Sequence, residues 1–264
     1  MSLVQSSIMG ILQGLTEFLP VSSSGHLVVL KRLMNLEEVP MLYDVLLHLA
    51  TLLVVLVVFR ERVGKIILSL LRWGSGKKVA DDRENLRLFW VIVVATFFTG
   101  VLGIGIESFN PGGNIKLVSL LFIATGLILW FSGSMKGKVK YNEIGVKHGI
   151  ITGIAQGLGV FPGISRSGIT ISAALLSGMD REKAGEYSFL ISIPAILGAL
   201  LLKLKEMDSL LAGMGGLEIV VGFSFSFLSG LFSLLLLLKL VRRGRLSYFS
   251  FYLVPLGLLG LFFL

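Results

Sequence analysis

Residues Ile8–Gly25 read IMGILQGLTEFLPVSSSG, and residues Ile151–Gly168 read ITGIAQGLGVFPGISRSG. Displaced by 143 residues, the two stretches align without a gap. Ten of the eighteen pairs are identical, among them Gln13/Gln156, Gly14/Gly157, Phe18/Phe161, Ser22/Ser165, Ser24/Ser167 and Gly25/Gly168. Both copies are apolar but interrupted. Pro20 and Ser22-Ser23-Ser24-Gly25 break residues 8–34, and Pro162 and Ser165-Arg166-Ser167-Gly168 break residues 146–178. An apolar segment with Pro, Ser and Gly at its middle predicts a re-entrant helix–loop–helix. Irregular backbone survives at membrane depth only where protein or a wet cavity surrounds it.

Six further stretches qualify by length and apolarity as membrane-spanning helices: 42–59, 88–106, 117–131, 189–202, 217–238 and 246–264. Two of these are short, and their ends are expected to run about a turn further. The composition agrees. Hydrophobic residues make up 54% of the 264 residues and charged residues 15%, against roughly 25% charged in soluble domains. The mean hydropathy is +0.88. This excludes a soluble enzyme, a disulfide-rich secreted domain and a disordered tail. Residues 1–7 carry no charged side chain, so no basic n-region and no secretory signal is expected. There is no cysteine, which excludes disulfides, thiol catalysis and thiolate-bound zinc. The fold class is therefore all-α and polytopic: six transmembrane helices plus two re-entrant helix–loop–helix segments. The chain reads as one membrane domain, with repeat one over about 1–134 and repeat two over about 144–264.

Three spans follow each broken segment. Three is odd, so the second repeat enters the membrane with opposite orientation, the inverted-repeat plan in which interrupted segments meet near the midplane. The basic residues test this independently. With residues 60–87 on the cytoplasmic side, eighteen Lys and Arg lie on that side. Only Lys31, Arg32, Lys116, Lys203 and Lys205 lie on the other, with Arg166 inside a broken segment. The positive-inside rule then places both termini outside, the first re-entrant segment opening outward and the second inward. The net charge of +8 belongs to these loops, so it indicates topology and anionic lipid rather than nucleic acid. The basic loop 60–87 reads as a topological anchor whose Lys77 and Lys78 meet anionic lipid.

Few ionisable groups remain at depth: Glu17, His26 and Arg166, then Asp44 and His48 on the first span, and Glu186 at the start of the fourth. Such groups are costly in a bilayer unless paired or hydrated, so they mark function. The repeat is asymmetric at the useful positions. Glu17 aligns with Val160, His26 with Ile169, and Ser23 with Arg166. The implied chemistry is that of phosphate. Arg166 offers a fork of donors. The Ser-x-Ser-Gly turns open helices whose N-termini favour anions, and Ser22, Ser23, Ser24, Ser165 and Ser167 add hydroxyl donors. His26 exchanges protons near neutral pH, and Glu17 suits a base, an orienting partner of His26 or a ligand to a divalent cation. Asp44 and His48, one turn apart, share a face and are expected to pack as a membrane-end pair against the first broken segment, with a proton path or a supporting contact to the site as the alternative. Glu186 is expected to snorkel or cap its helix.

At these residues the chain resembles the undecaprenyl-diphosphatase family, the bacitracin-resistance phosphatases. Its acidic motif reads here Gln13-Gly14-Leu15-Thr16-Glu17, followed by Phe18-Leu19-Pro20-Val21-Ser22-Ser23-Ser24-Gly25-His26, and its second motif reads Pro162-Gly163-Ile164-Ser165-Arg166-Ser167-Gly168-Ile169-Thr170. The resemblance covers essentially the whole chain. It implies an enzyme of the bacterial inner membrane that hydrolyses undecaprenyl diphosphate to undecaprenyl phosphate, the carrier lipid of cell-wall sugars. It further implies that Glu17, His26, Ser23 and Arg166 are catalytic. Ser22, Ser24, Ser165, Ser167 and Gln13 would hold phosphate, and Asp44, His48 and Thr170 would stand behind them. Some members carry Glu where this chain has Gln13, so the acidic role falls to Glu17. Mg²⁺ or Ca²⁺ is implied as a cofactor shared with the substrate phosphates, with no cage visible in the sequence. Undecaprenyl diphosphate and membrane lipid are the expected partners, and a homo-oligomer is allowed for. A phosphoserine, a phosphohistidine and direct attack by water all remain open, and a lipid-phosphate flippase or anion transporter on the same repeat is the rival reading.

Overall fold

The computed structural model describes residues 1–36, 39–76, 79, 82–109, 114–203 and 214–263. Lys77, Lys78 and Lys205 lie outside the described residues. Among the described residues eleven α-helices follow one another: α1 Leu3–Phe18, α2 Ser23–Leu33, α3 Met41–Val58, α4 Arg60–Gly74, α5 Asp82–Glu107, α6 Ile115–Ser132, α7 Val146–Leu158, α8 Arg166–Leu176, α9 Arg181–Lys203, α10 Gly216–Arg242 and α11 Ser250–Phe263, the last preceded by a 3₁₀ turn, Leu246–Phe249. Among the described residues there is no strand, only an isolated bridge between Val139 and Met179. Among the described residues five segments are long and apolar enough to cross a membrane: α5, α6, α9, α10 and Leu246–Phe263. A sixth, Leu42–Val58, passes together with α4, which leaves it at 79°. The protein is an all-α polytopic membrane protein.

The helix ends follow local chemistry. Ser2 caps α1, its hydroxyl accepting from the Gln5 N–H at 3.2 Å while Gln5 Oε1 accepts from the Ser2 N–H at 2.7 Å. Asn114 caps α6 by accepting from the Leu117 N–H at 3.1 Å. α1 stops before Leu19-Pro20, where proline cannot continue the ladder. The 143-residue offset reappears in the elements themselves: α1 and α7 start at matched residues, and α2 and α8 match at both ends.

In lipid, helices gain little from burying apolar area against one another, so close approach through small residues and hydroxyls takes over. α1 packs on α10 this way. A Cβ on Gly14 would stand 2.6 Å from the Gly230 N, and the Ser233 hydroxyl donates to the Gly14 carbonyl at 2.6 Å. α5 meets α7 at Gly153, where a Cβ would lie 2.8 Å from Ala95 Cα. α11 meets α6 at Gly126, whose carbonyl accepts from Ser250 Oγ at 2.6 Å. Outward, large apolar side chains such as Phe97, Val101, Leu228, Phe232 and Phe251 stay exposed, as a lipid-facing surface requires.

Three features differ from the sequence reading. The stretch 60–87 is not a plain loop: it contains α4 and the first turns of α5. Its charges hid α4 from a search for apolar runs. The fourth span starts at Arg181 rather than 189, because its first two turns are capped by charged residues. Glu186 neither snorkels nor caps. It accepts from Arg62 Nε at 2.8 Å and from Lys183 Nζ at 3.3 Å, tying α9 to α4.

Candidate active site

The two broken segments touch at their turns. Ser22 stands at the N-cap of α2 with φ 68°, a left-handed conformation that is unusual for a residue with a side chain. Its Oγ accepts from the Gly163 N–H across the pseudo-repeat at 3.0 Å and from the Gly25 N–H at 3.4 Å. Gly163 has φ 101°, and Thr125 on α6 locks this turn by donating to the Gly163 carbonyl at 2.9 Å. Gly25 has no room for a Cβ, which would lie 2.8 Å from the Gly163 N. Ser165 caps α8 in the matched way, accepting from the Gly168 N–H at 3.1 Å.

This arrangement puts Ser23 and Arg166 at the first positions of α2 and α8, and both reach Glu17. The Ser23 hydroxyl donates to Glu17 Oε2 at 2.6 Å. Arg166 Nη2 pairs with Glu17 Oε1, while Arg166 Nη1 is buried with no partner. Gln13 Nε2 donates to Glu17 Oε2 at 2.9 Å, and His48 Nε2 on α3 stands 3.3 Å from the same oxygen. The carboxylate is 3% exposed, so it is buried and charge-matched, as an ion at this depth must be. His48 Nδ1 faces the Asp44 carbonyl at 2.8 Å. A carbonyl can only accept, so Nδ1 carries a proton and Nε2 is the nitrogen turned to the Glu17 carboxylate.

A cavity of about 590 Å³ opens over this group. Glu17, Ser22, Ser23, Ser24, His48 and Arg166 form its polar end, joined by Gln156 and Ser165. The walls are apolar: Gly100, Gly103 and Ile104 from α5, Val160 and Ile164 from the second turn, and Ile196, Leu201 and Leu202 from α9. Where α5 and α9 end, Glu107 lines the cavity and pairs with Lys203 at 2.9 Å.

The expected site residues do not all meet. Glu17, Ser23 and Arg166 form one hydrogen-bonded group, but His26 lies apart from the cavity. Its Nδ1 lies 2.8 Å from the Ser22 carbonyl and its Nε2 lies 2.7 Å from the Tyr252 hydroxyl, and its ring packs on Phe122 and Tyr252. It stands where α2 meets Phe122 of α6 and Tyr252 of α11. Gln13, expected to hold phosphate, sits fully buried behind Glu17. Its repeat mate Gln156 lines the cavity instead, donating to Thr99 Oγ1 at 3.1 Å. Ser167 bonds to Ser165 at 3.2 Å, and Thr170 bonds to Ser188 and the Arg166 carbonyl, so both brace α8 rather than line the cavity. Ser24 lies 3.5 Å from Ser22. Asp44 and His48 part company. Asp44 accepts from Lys31 Nζ at 2.6 Å, whereas His48 joins the site directly. The repeat pointed to Gln156 through its mate Gln13, but Thr99 and Glu107 carried no signal in the sequence, since nothing in an apolar span tells which polar residue faces a cavity.

Among the described residues no three His, Cys, Asp or Glu side chains stand together as a cage for an ion. Glu17, the carboxylate at the polar end, is engaged through both oxygens.

With this geometry in place, comparison with known proteins finds relatives along nearly the whole chain. Three similar proteins are named undecaprenyl-diphosphatase. The one from Treponema denticola is 47% identical over 98% of this chain and 96% of its own. The one from Carboxydothermus hydrogenoformans is 41% identical over 97% and 95%. The one from Borrelia recurrentis is 40% identical over 94% and 93%. The profile of the family described as bacitracin resistance protein BacA matches residues 6–259, and with nearly the whole length matched the chain belongs to that family.

Proposed function

We propose that this chain is an integral membrane phosphatase that hydrolyses undecaprenyl diphosphate to undecaprenyl phosphate and inorganic phosphate, as the names of its relatives indicate for them, and that it confers bacitracin resistance. The observation that carries the reading is the Ser23 hydroxyl, 2.6 Å from Glu17 and directed at it, beside an Arg166 nitrogen left without a partner. A serine whose proton points into a carboxylate is an activated nucleophile. A buried guanidinium nitrogen with nothing to bond is set for an oxygen of a phosphoryl group.

The reaction follows from these positions. Arg166 Nη1 and the free N–H groups at the starts of α2 and α8 hold the terminal phosphoryl oxygens and stabilise the charge that develops on them. Ser23 Oγ attacks phosphorus, and Glu17 takes its proton. The bond to the bridging oxygen breaks and undecaprenyl phosphate leaves, taking up that proton. Glu17 then accepts a proton from water as the water cleaves the Oγ–phosphorus bond. Inorganic phosphate is released and the proton returns to Ser23. His48 Nε2, against the same carboxylate oxygen, relays protons to and from Glu17. The engagement of His26 by Tyr252 argues against a phosphohistidine there. The prenyl tail fits the apolar walls of α5 and α9, which lead from the polar end toward lipid. A divalent cation would enter only with the diphosphate, since the residues present do not build a cage, and no step here runs through it.

Orientation belongs to the same proposal: both termini and the opening of the site on the outer face of the bacterial inner membrane, as the basic residues indicate. A flippase would need the anion grip but not the Ser23–Glu17 pair. The test is phosphate release from undecaprenyl diphosphate by purified protein in detergent. Release that depends on Glu17 supports the enzyme. Intact lipid moved across a vesicle with no phosphate released would replace it with the flippase.

A further inference from the structure

A second cavity, of about 610 Å³, lies away from the substrate cavity, between α4, the first turns of α5 and Asn142. Five cations line it: Arg62, Lys65, Arg72, Arg83 and Arg87, against the two carboxylates Asp82 and Glu84. Arg62 is held by Glu186 at 2.8 Å and Glu84 at 3.1 Å, and its ion lies 5.0 Å over the Tyr141 ring. Burial works against the Arg62 charge, but Glu186, Tyr141 and Glu84 together offset it and keep the guanidinium above its ordinary pKa. Arg72 pairs with Asp82 at 3.2 Å. Arg87 donates to the Asn142 carbonyl at 2.6 Å. Lys65, Arg83 and Arg87 have no carboxylate partner among the described residues. The cleft therefore keeps an excess of positive charge on a frame that its own ion pairs make rigid.

α4 explains what this charge faces. It departs from α3 at 79°, so it runs along a membrane surface rather than through it. Its two faces differ. Arg62, Lys65, Ser69 and Arg72 follow helical spacing into the cleft, while Ile67, Leu68, Leu71 and Trp73 are each more than half exposed on the outer side. Trp90 of α5 lies edge-on to Trp73 with ring centroids 6.3 Å apart. Apolar residues and indoles on one side with cations on the other is the composition of an interfacial helix, and tryptophans gather at headgroup depth.

We propose that this cleft binds the headgroup of an anionic phospholipid, its phosphodiester against Lys65, Arg83 and Arg87 and its acyl chains along Ile67, Leu68 and Leu71. A soluble phosphate would satisfy the cations but has no use for the apolar rim, and the rim is continuous with the cleft through Leu68, which lines both. In the orientation set by the basic residues, this is the cytoplasmic leaflet, across the membrane from the mouth of the substrate cavity.

The full-length protein is placed in phosphatidylcholine nanodiscs containing increasing fractions of phosphatidylglycerol. Thermal unfolding is followed by tryptophan fluorescence, and lipid retained on extraction is identified by mass spectrometry. Phosphatidylglycerol is expected to raise the unfolding temperature and to be retained in preference to phosphatidylcholine. Each neutralised cation should weaken this roughly five-fold, the effect of one basic residue at an anionic surface. Lys65→Gln with Arg83→Gln then lowers the apparent affinity roughly 25-fold. Lys65→Arg with Arg83→Lys keeps it. Millimolar inorganic phosphate in pure phosphatidylcholine discs leaves the unfolding temperature unchanged. Equal retention of phosphatidylglycerol by the neutralised pair overturns the proposal, and so does inorganic phosphate reproducing the lipid's effect. If the neutralised pair fails to fold, the wild-type comparison decides: no preference for phosphatidylglycerol over phosphatidylcholine ends it.

Discussion

Arg166→Lys isolates the geometry of the phosphate grip from its charge. In the structure Arg166 Nη2 is committed to Glu17 and Nη1 is buried without a partner, so in the proposed reaction one side chain would serve a carboxylate and a phosphoryl group at once. Lysine keeps the positive charge but has a single ammonium on a flexible stem, without the planar fork. Beside a buried carboxylate it stays with Glu17. The phosphoryl oxygen then loses a positioned donor in the transition state, a loss worth roughly 100- to 1000-fold in turnover, or about 2.7–4 kcal/mol. Stability should change little, because the ion pair with Glu17 survives. Removing the cation altogether, as in Arg166→Ala, leaves a buried carboxylate unmatched and should cost about 3–5 kcal/mol. The assay is phosphate release from undecaprenyl diphosphate at saturating substrate, with thermal unfolding and monodispersity measured on the same preparations. Turnover within a few fold of wild type in a well-folded Arg166→Lys protein would refute the reasoning, and Arg166 would then be a partner of Glu17 and nothing more.

Ser23→Ala should abolish phosphate release, whereas Ser165→Ala, which removes the α8 cap bonded to Gly168, should lower stability by about 1 kcal/mol and weaken substrate binding. Equal loss of turnover at saturation would contradict Ser23 as nucleophile. His48→Gln should lower turnover by roughly 100-fold, the lower end for a proton-transfer group. His26→Gln should act chiefly on stability through its contact with Tyr252. The opposite pattern in paired turnover and unfolding measurements would return the proton-handling role to His26. Since the chain has no cysteine, single cysteines report sidedness cleanly. Ser108→Cys, beyond the end of α5, should label from outside intact cells, and Ser75→Cys, at the end of α4, should not. Gly112, a natural outer site by the charge count, lies outside the described residues. Labelling of Ser75→Cys from outside would invert the topology.

The membrane made much of this protein legible before any coordinates. Apolar runs must span lipid, a broken run must find a polar surrounding, and basic residues must sort to one side, so spans, broken segments and expected orientation could be read from residue types alone. The repeat between 8–25 and 151–168 also drew attention to Glu17, Ser23 and Arg166, ionisable or polar residues at pairs where the copies disagree. Only the tertiary structure decided which polar side chains meet. His26 follows the motif but turns toward Tyr252, while His48, from a different helix, stands against Glu17. Gln13 supports the carboxylate from behind, and Gln156 reaches the cavity. Sequence spacing gives the angle of a side chain around its own helix but not the neighbour that helix will face. That neighbour is set by how α1, α2, α3 and α8 cross, and the crossings depend on backbone contacts at Gly14, Gly25 and Gly163. α4 escaped for a related reason. Its apolar residues lie on one face among charges, so no run of hydropathy marks it, and only the tertiary structure shows it as a helix of its own, turned 79° from α3.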